Sequence, residues 1–154
     1  MEEVRVRPAL SGEATAISAL ALRSKGHWAY DAAFLEACRA ELTTDPGECD
    51  GRHVYVAERD GMMLGYYKLA GDPPVGELAD LFVDPPAIGT GVGTLLLRHA
   101  IGQARVLGLQ RLTIDAEPEA EAFYLRAGAV RTGSVPSGSI PGRELPQLEL
   151  RLSD

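Results

Sequence analysis

A glycine-rich loop between a strand and a helix is the feature that most constrains this chain of 154 residues. The strand predicted over 77–83 ends at Asp84-Pro85-Pro86, and Gly89-Thr90-Gly91-Val92-Gly93 then leads into an amphipathic helix. Glycines allow the backbone to approach a ligand closely, and a helix N-terminus carries roughly half a positive charge. The pattern is typical of a loop that holds phosphate on backbone N–H groups, but it also fits an ordinary strand–helix connection.

Two nucleotide-binding motifs compete for the same loop. A P-loop is excluded because neither Lys-Ser nor Lys-Thr follows the glycines. A dinucleotide-binding fold gains support from Asp115, which lies about twenty residues after the loop at the end of the next predicted strand. The glycine spacing is nevertheless too short for that motif. Fewer than 40 residues follow Asp115, and these are too few for a second nucleotide-binding half.

The predicted elements follow a mixed order along the chain. A first strand is followed by a helix from Ser11 to Arg23, a loop over 24–30, and a second helix capped by Asp31. An antiparallel meander with a tight turn at Asp60-Gly61, a β–α–β crossover, a further helix and a closing hairpin complete the order. We therefore expect one domain over 1–154 of the α/β (α+β) class. Its mixed, mostly antiparallel sheet should have about six or seven strands and about four helices.

Composition and charge exclude several function classes. The net charge of −7 argues against a general nucleic-acid or membrane-surface partner. Residues 84–116 contain only two acidic residues and three basic ones. The chain's own negative charge therefore repels a bound anion least in this segment. No apolar run approaches the ~20 residues of a membrane span. The start Met-Glu-Glu is unlike a targeting signal, and Cys38 and Cys49 match no metal spacing, which predicts a cytoplasmic protein without a metal.

Three separated motifs resemble those of one enzyme family. They are Glu77–Pro85, Ile88–Leu96 and Ala122–Ala129, and their order and spacing resemble the GNAT superfamily of acyl-CoA-dependent N-acetyltransferases. Ile88 departs from the family pattern, because the loop usually opens with Arg or Gln. The resemblance implies a GNAT-like sheet that is splayed between its fourth and fifth strands.

Acetyl-CoA is the cofactor, or co-substrate, that the resemblance implies. It would lie in the splay, with its pyrophosphate on the amides of the glycine loop and its pantetheine arm along the fourth strand. The cofactor-binding residues expected from the resemblance are Leu81, Phe82, Val83, Ile88, Gly89, Thr90, Gly91, Val92, Gly93, Thr94, Glu119 and Arg126.

Three residues are candidates for the chemistry. Tyr124 matches the family tyrosine that protonates the departing thiolate, although a tyrosine beside Phe123 is also a normal packed aromatic. Glu77 and Asp80 are candidate bases for the amine proton, and each also fits a solvated strand acid. Because they are three residues apart on one strand, we expect them to face opposite sides of the sheet.

The acceptor pocket is expected between two segments. His27, Trp28 and Tyr30 lie on the connection between the first two helices, where aromatic faces can hold a cationic amine. Arg143 lies in the glycine- and proline-rich connection before the last strand and can clamp a carboxylate. The alternatives are a tryptophan that plugs the core and a mobile polar hairpin.

The leading hypothesis is an N-acetyltransferase that moves an acetyl group directly to a primary amine of a small molecule or peptide. A non-catalytic acyl-CoA sensor on the same fold and a small nucleotide-binding domain remain alternatives. Either a monomer or a homodimer fits the sequence.

Overall fold

The computed structural model describes residues 3–27, 31–137 and 140–152. The strands and α-helices are β1 (Arg5–Pro8), α1 (Ala14–Gly26), α2 (Ala32–Leu42), β2 (Val54–Arg59), β3 (Met62–Ala70), β4 (Val75–Val83), α3 (Val92–Val106), β5 (Arg111–Asp115), α4 (Glu121–Arg126), β6 (Val130–Pro136) and β7 (Glu144–Arg151). The seven strands in this part of the chain form one sheet in the order β1-β2-β3-β4-β5-β7-β6. The β4–β5 pair is parallel and the other pairs are antiparallel. The predicted mixed fold is confirmed.

The two faces of the sheet bury separate hydrophobic clusters. Successive residues of a strand point to opposite faces, and β3 shows this at Tyr66 and Tyr67. Tyr67 belongs to the cluster that Leu96 of α3 completes, whereas Tyr66 belongs to the cluster of Leu20 in α1 and Cys38 in α2. The sheet is therefore covered on both faces, with α3 on one side and the α1–α2 pair on the other.

Two local predictions are confirmed by the backbone. Asp31 caps α2, and its Oδ1 accepts a hydrogen bond of 2.7 Å from the N–H of Phe34. Asp60 and Gly61 have φ angles of 54° and 76°, the positive values that a two-residue turn between twisted antiparallel strands requires.

The first helix lies three residues further along the chain than the sequence predicts, because Ser11–Glu13 form a 3₁₀ turn and α1 begins at Ala14. We expected it to end near Arg23 with a loop from residue 24, but α1 continues to Gly26. Ser24 and Lys25 are both buried in the added turn, and Lys25 forms an ion pair with Glu117. These tertiary contacts stabilise a turn that local propensity leaves open.

None of the helices formed by the described residues is long and apolar enough to cross a membrane.

Candidate active site

Strands β4 and β5 separate where the resemblance predicts a splay. Within the described residues, their register runs only from Val75 opposite Arg111 to Glu77 opposite Thr113. β4 then continues to Val83 and β5 to Asp115 without pairing to each other. A cleft of about 180 Å³ lies beside this separation, and we call it the acceptor cleft; the residues that line it include Lys25, Glu77, Asp80, Glu117, Tyr124 and Arg143.

The backbone of β4 presents hydrogen-bonding groups to the separation. The N–H of Asp84 donates to the carbonyl of Leu64 in β3 at 2.8 Å. Backbone groups alternate in direction along a strand, so Phe82 also faces β3, whereas the N–H groups of Leu81 and Val83 point away from it. Of the three backbone positions expected to contact pantetheine, Leu81 and Val83 are therefore the ones turned toward the splay.

A β-bulge in β4 corrects the expected orientation of the two acids. Lys68 pairs with Asp80 but Leu69 pairs with Leu78, so β4 has one extra residue, Ala79, at this point. The extra residue reverses the alternation. Glu77 and Asp80 therefore lie on the same face of the sheet, and the prediction that they face opposite sides is wrong. Sequence spacing could not show this because the bulge depends on the pairing with β3.

Asp80 is held by two side chains of β3. Its Oδ2 accepts a hydrogen bond of 2.9 Å from the Tyr66 hydroxyl and lies 3.6 Å from the Lys68 ammonium, which also lies 3.1 Å from Glu48. Burial raises the pKa of Asp80, and the Lys68 charge and the Tyr66 hydrogen bond oppose that increase. Sequence reasoning missed both partners, since only the strand register brings them to Asp80.

Glu77 lies further along the same face and is half-buried. Burial raises the pKa of Glu77, and the negative charges of Asp115 and Asp80 raise it further. Glu77 is also the last β4 residue in register with β5, opposite Thr113. It therefore lies where the splay begins.

Tyr124 occupies the inner side of the short helix α4. Its ring packs edge-on against Phe123 with the centroids 5.1 Å apart, and only 6% of the residue is exposed. Burial raises the pKa of Tyr124, and the charge of Asp80 adds to the increase, so the hydroxyl is protonated at neutral pH. The candidate acid and a candidate base therefore line the same cleft.

The glycine loop ends as the first turn of α3. Gly89 and Gly91 have φ angles of 83° and 92°, and no heavy atom of the described residues lies within 4 Å of a Cβ built at either position. Gly91 is the N-cap of α3, so Val92, Gly93 and Thr94 occupy its first three positions. N–H groups at these positions have no acceptor within their own helix. They suit the binding of an anion.

Thr90 and Ile88 make hydrogen bonds within the loop. The Thr90 hydroxyl donates to the carbonyl of Ala87. Ile88 is half-buried, and its N–H donates to the carbonyl of Pro85 at 3.2 Å. The threonine side chain therefore braces the turn, and the outward-facing groups of the loop belong to the backbone.

A group of charged side chains outside β4 also lines the acceptor cleft. Lys25 and Arg143 both pair with Glu117, Arg143 at 3.0 Å. The two cations also lie over the ring of Phe34, 5.6 and 5.0 Å from its centroid. Sequence reasoning identified Arg143 but missed Lys25 and Glu117.

The remaining candidate residues lie elsewhere. Glu119 is exposed on the turn before α4, and Arg126 is exposed at the end of that helix. His27 is exposed and caps α1. Trp28 and Tyr30 fall outside the described residues. Across 3–27, 31–137 and 140–152, no group of three His, Cys, Asp or Glu residues could hold a metal ion.

Comparison with known sequences supports the family resemblance. The sequence profile of the Acetyltransferase (GNAT) family matches residues 20–129. The chain is 39% identical over 85 residues to an amino-acid acetyltransferase of Ralstonia nicotianae. The alignment covers 54% of this chain and 19% of that protein. It is 34% identical over 62 residues to a probable glucosamine 6-phosphate N-acetyltransferase of Oryza sativa subsp. japonica. That alignment covers 40% of this chain and 37% of the rice protein. These alignments span well under two thirds of either relative.

The fold of this chain is similar to that of solved structures over nearly its whole length. The PaiA N-acetyltransferase of Thermoplasma acidophilum, in complex with coenzyme A, has a TM-score of 0.80 at 16% identity and covers 97% of this chain and 99% of its own. A GCN5-related N-acetyltransferase from Rhodopseudomonas palustris has a TM-score of 0.79 at 25% identity, covering 98% and 97%. The similarity to the PaiA structure, at 16% identity, shows the fold. The family profile matches well over half of the 154 residues of this chain. The chain belongs to the acetyltransferase (GNAT) family.

Proposed function

We propose that the protein is an acetyl-CoA-dependent N-acetyltransferase that moves an acetyl group to a primary amine in a ternary complex. The observation that carries this proposal is the splay of β4 from β5. It exposes the N–H groups of Leu81 and Val83 between a phosphate-type loop and a cleft that contains Tyr124 and Asp80.

The glycine loop supplies the cofactor site. N–H groups from Gly89 to Thr94 would hold the pyrophosphate, except that of Thr90, which donates to the carbonyl of Ala87 at 3.2 Å. The positive end of the helix dipole lies behind them. The backbone of Leu81 and Val83 would pair with pantetheine as a strand would, and a free N–H there can stabilise the oxyanion formed at the acetyl carbonyl. Bound acetyl-CoA would supply the thioester that reacts. Glu119 and Arg126 are candidates for contacts at the rim of the cofactor site.

Asp80 is the favoured base for the acceptor amine. An amine with a pKa of ~10.4 arrives protonated and must lose a proton before it attacks. Tyr66 and Lys68 both engage Oδ2 of Asp80, so Oδ1 would be the oxygen that accepts the amine proton. The raised pKa of Asp80 also makes it a stronger base than an exposed aspartate. Glu77 lies on the same face and is the second candidate.

Tyr124 would assist the leaving group. A coenzyme A thiol has a pKa of ~8.5, so donation from a neighbouring hydroxyl stabilises the thiolate as the C–S bond breaks. The hydroxyl of Tyr124 stays protonated because burial raises its pKa. Among the described residues that line the acceptor cleft there is neither Cys38 nor Cys49. Their location supports direct transfer.

The relatives favour an amine acceptor. Their names describe acetyltransferases for amino acids and for glucosamine 6-phosphate. We infer that the acceptor of this protein is likewise a small primary amine.

Calorimetric titration with acetyl-CoA, coenzyme A and NAD tests the cofactor assignment. We expect binding of both coenzyme A species and none of NAD, whereas tight NAD binding without a coenzyme A response would overturn the proposal. Thiol release from acetyl-CoA over a broad amine panel then separates an enzyme from a sensor. Coenzyme A binding without acetylation of any amine would support the sensor alternative.

A further inference from the structure

Asp80 shares one ammonium group with a second carboxylate from another part of the fold. The Nζ of Lys68 in β3 lies 3.6 Å from Oδ2 of Asp80 and 3.1 Å from Oε2 of Glu48. Glu48 ends the 3₁₀ turn Pro46–Glu48, which connects α2 to β2. Neither Lys68 nor Glu48 is among the described residues that line the acceptor cleft. Any effect of these two residues on a substrate in the cleft therefore acts through Asp80.

Glu48 is held in place by the backbone of its own turn. Its Oε1 accepts a hydrogen bond of 3.0 Å from the N–H of Asp45, while its Oε2 is the oxygen near Lys68. Burial alone would raise the pKa of Glu48, but the Asp45 hydrogen bond and Lys68 outweigh burial and lower that pKa. Glu48 is therefore ionised at neutral pH. It competes with Asp80 for the ammonium group from a fixed position.

Lys68 and Glu48 act on Asp80 with opposite signs. The side chains of Lys68 and Asp80 are each 12% exposed, so water screens their attraction little. Burial raises the pKa of Asp80, Lys68 and the Tyr66 hydrogen bond lower it, and the charge of Glu48 raises it. Glu48 is 41% exposed, so we expect its influence to be the smaller of the two.

Other titratable groups also surround Asp80 in the cleft. Glu77 lies on the same strand, and Tyr124 faces the cleft from α4. The charged residues that line the cleft from other elements are Lys25, Glu41, Asp115, Glu117 and Arg143. These groups contribute equally before and after a change at Lys68 or Glu48. They set the starting pKa of Asp80 but cannot produce opposite changes in it.

A general base has two conflicting requirements. It must be ionised at the working pH, yet it must keep enough affinity for a proton to remove one from the substrate. A cation at close range lowers the pKa of a carboxyl by about 1 to 3 units, which favours the first requirement and opposes the second. A cation that is drawn toward another carboxylate satisfies both. Lys68 is in this position, because it lies closer to Glu48 than to Asp80.

We propose that Lys68 and Glu48 are a pair of positioning residues that sets the strength of Asp80 as a base. Lys68 holds Asp80 in its ionised form, and Glu48 draws the ammonium group away so that Asp80 still accepts the amine proton. This inference rests on the proposed acetyltransferase function and on the role of Asp80 within it.

An NMR titration tests the pair without any need for turnover. The carboxyl carbon of Asp80 is followed against pH in the unliganded protein, and its resonance is assigned by its loss in Asp80→Asn. Lys68→Met should raise the pKa of Asp80 by about one unit, and Lys68→Arg, which keeps the charge, should restore most of the wild-type value. Glu48→Gln keeps an oxygen for the Asp45 N–H but removes the charge, so it should lower the pKa of Asp80 by about half a unit.

Glu36→Gln is the matched control, because it removes the same charge from the exposed side of α2. It should change the pKa of Asp80 by less than about 0.2 unit. A structural disturbance has no reason to act in opposite directions at Lys68 and Glu48. Changes of the same sign in Lys68→Met and Glu48→Gln, or no change in either variant, would overturn the inference.

The pH dependence of kcat then connects the titration to the reaction. With the best amine and saturating acetyl-CoA, the pH at which kcat reaches half of its plateau should move upward in Lys68→Met and downward in Glu48→Gln, as the carboxyl titration does. Turnover whose pH dependence stays unchanged in both variants would overturn the inference and leave the acetyltransferase intact. Absence of thiol release with every amine would instead overturn the proposed function together with the inference.

Discussion

The glycine loop and the acceptor cleft are built in opposite ways. The loop offers backbone N–H groups from one continuous segment, and its Thr90 side chain is turned inward to brace the turn. The cleft offers side chains from strands, helices and loops that are far apart in the sequence; Lys25 and Glu117, for example, are 92 residues apart. The first site should therefore tolerate changes of side chain but not of backbone conformation. The second should respond to the loss of a single polar atom.

The largest expected effect is at Tyr124. Tyr124→Phe keeps the ring and its packing on Phe123 but removes the hydroxyl, so kcat should fall about 10²- to 10⁴-fold. Coenzyme A affinity and melting temperature should stay near wild type. Tyr55→Phe is the control, because that hydroxyl donates to the Gly51 carbonyl at 3.3 Å, away from the cleft. Unchanged turnover in Tyr124→Phe would remove the leaving-group role.

The next effect distinguishes the two candidate bases. Asp80→Asn should lower kcat at neutral pH about 10²-fold, and Glu77→Gln should lower it less. Because burial raises the pKa of Asp80, wild-type activity should increase with pH through a value above its ordinary 3.8, as the carboxyl loses its proton. That limb should disappear in Asp80→Asn. A larger loss in Glu77→Gln would transfer the role to Glu77.

A third change tests the backbone site. Gly91→Ala places a Cβ in the open side of the loop at a φ of 92°, and should weaken coenzyme A binding about tenfold. Gly51→Ala is the control, because its φ is 82° and its surroundings are equally open. Both variants should lose about 1 kcal/mol of stability, but only the first should lose affinity. Thr90→Ala should change affinity less than about twofold. Equal affinities in the two glycine variants would place the pyrophosphate elsewhere.

The smallest effect concerns stability. Burial, Asp115 and Asp80 raise the pKa of Glu77 above its ordinary 4.5. The folded state therefore binds this proton more tightly than the unfolded state, so its contribution to stability is lost as pH rises through the folded pKa. Glu77→Gln should melt above wild type at pH ~7, with the difference disappearing near pH ~4. Glu36→Gln, on the exposed side of α2, is the control. A lower melting temperature for Glu77→Gln at neutral pH would contradict the assignment.

The same contrast explains what the sequence could predict. The glycine loop, its flanking strand and the Tyr124 motif are contiguous patterns, so their identity and order could be read directly from residues 77–129. The set of side chains that lines the acceptor cleft could not be read in this way. Tyr66 and Lys68 reach Asp80 through strand register, and the extra residue Ala79 turns Glu77 to the same face. Lys25 joins Glu117 only because tertiary contacts extend α1 beyond the predicted end.

Amide hydrogen exchange along β4 tests the central claim most directly. The account places coenzyme A in the splay, paired with the outward N–H groups of Leu81 and Val83, while the Phe82 N–H faces β3. Exchange is measured residue by residue by NMR with and without coenzyme A. Phe82 should be protected in both states, and protection of Leu81, Val83 or both should rise about tenfold or more on binding. If saturating coenzyme A left the hydrogen-exchange rates of both the Leu81 and Val83 amides unchanged, this result would contradict the account.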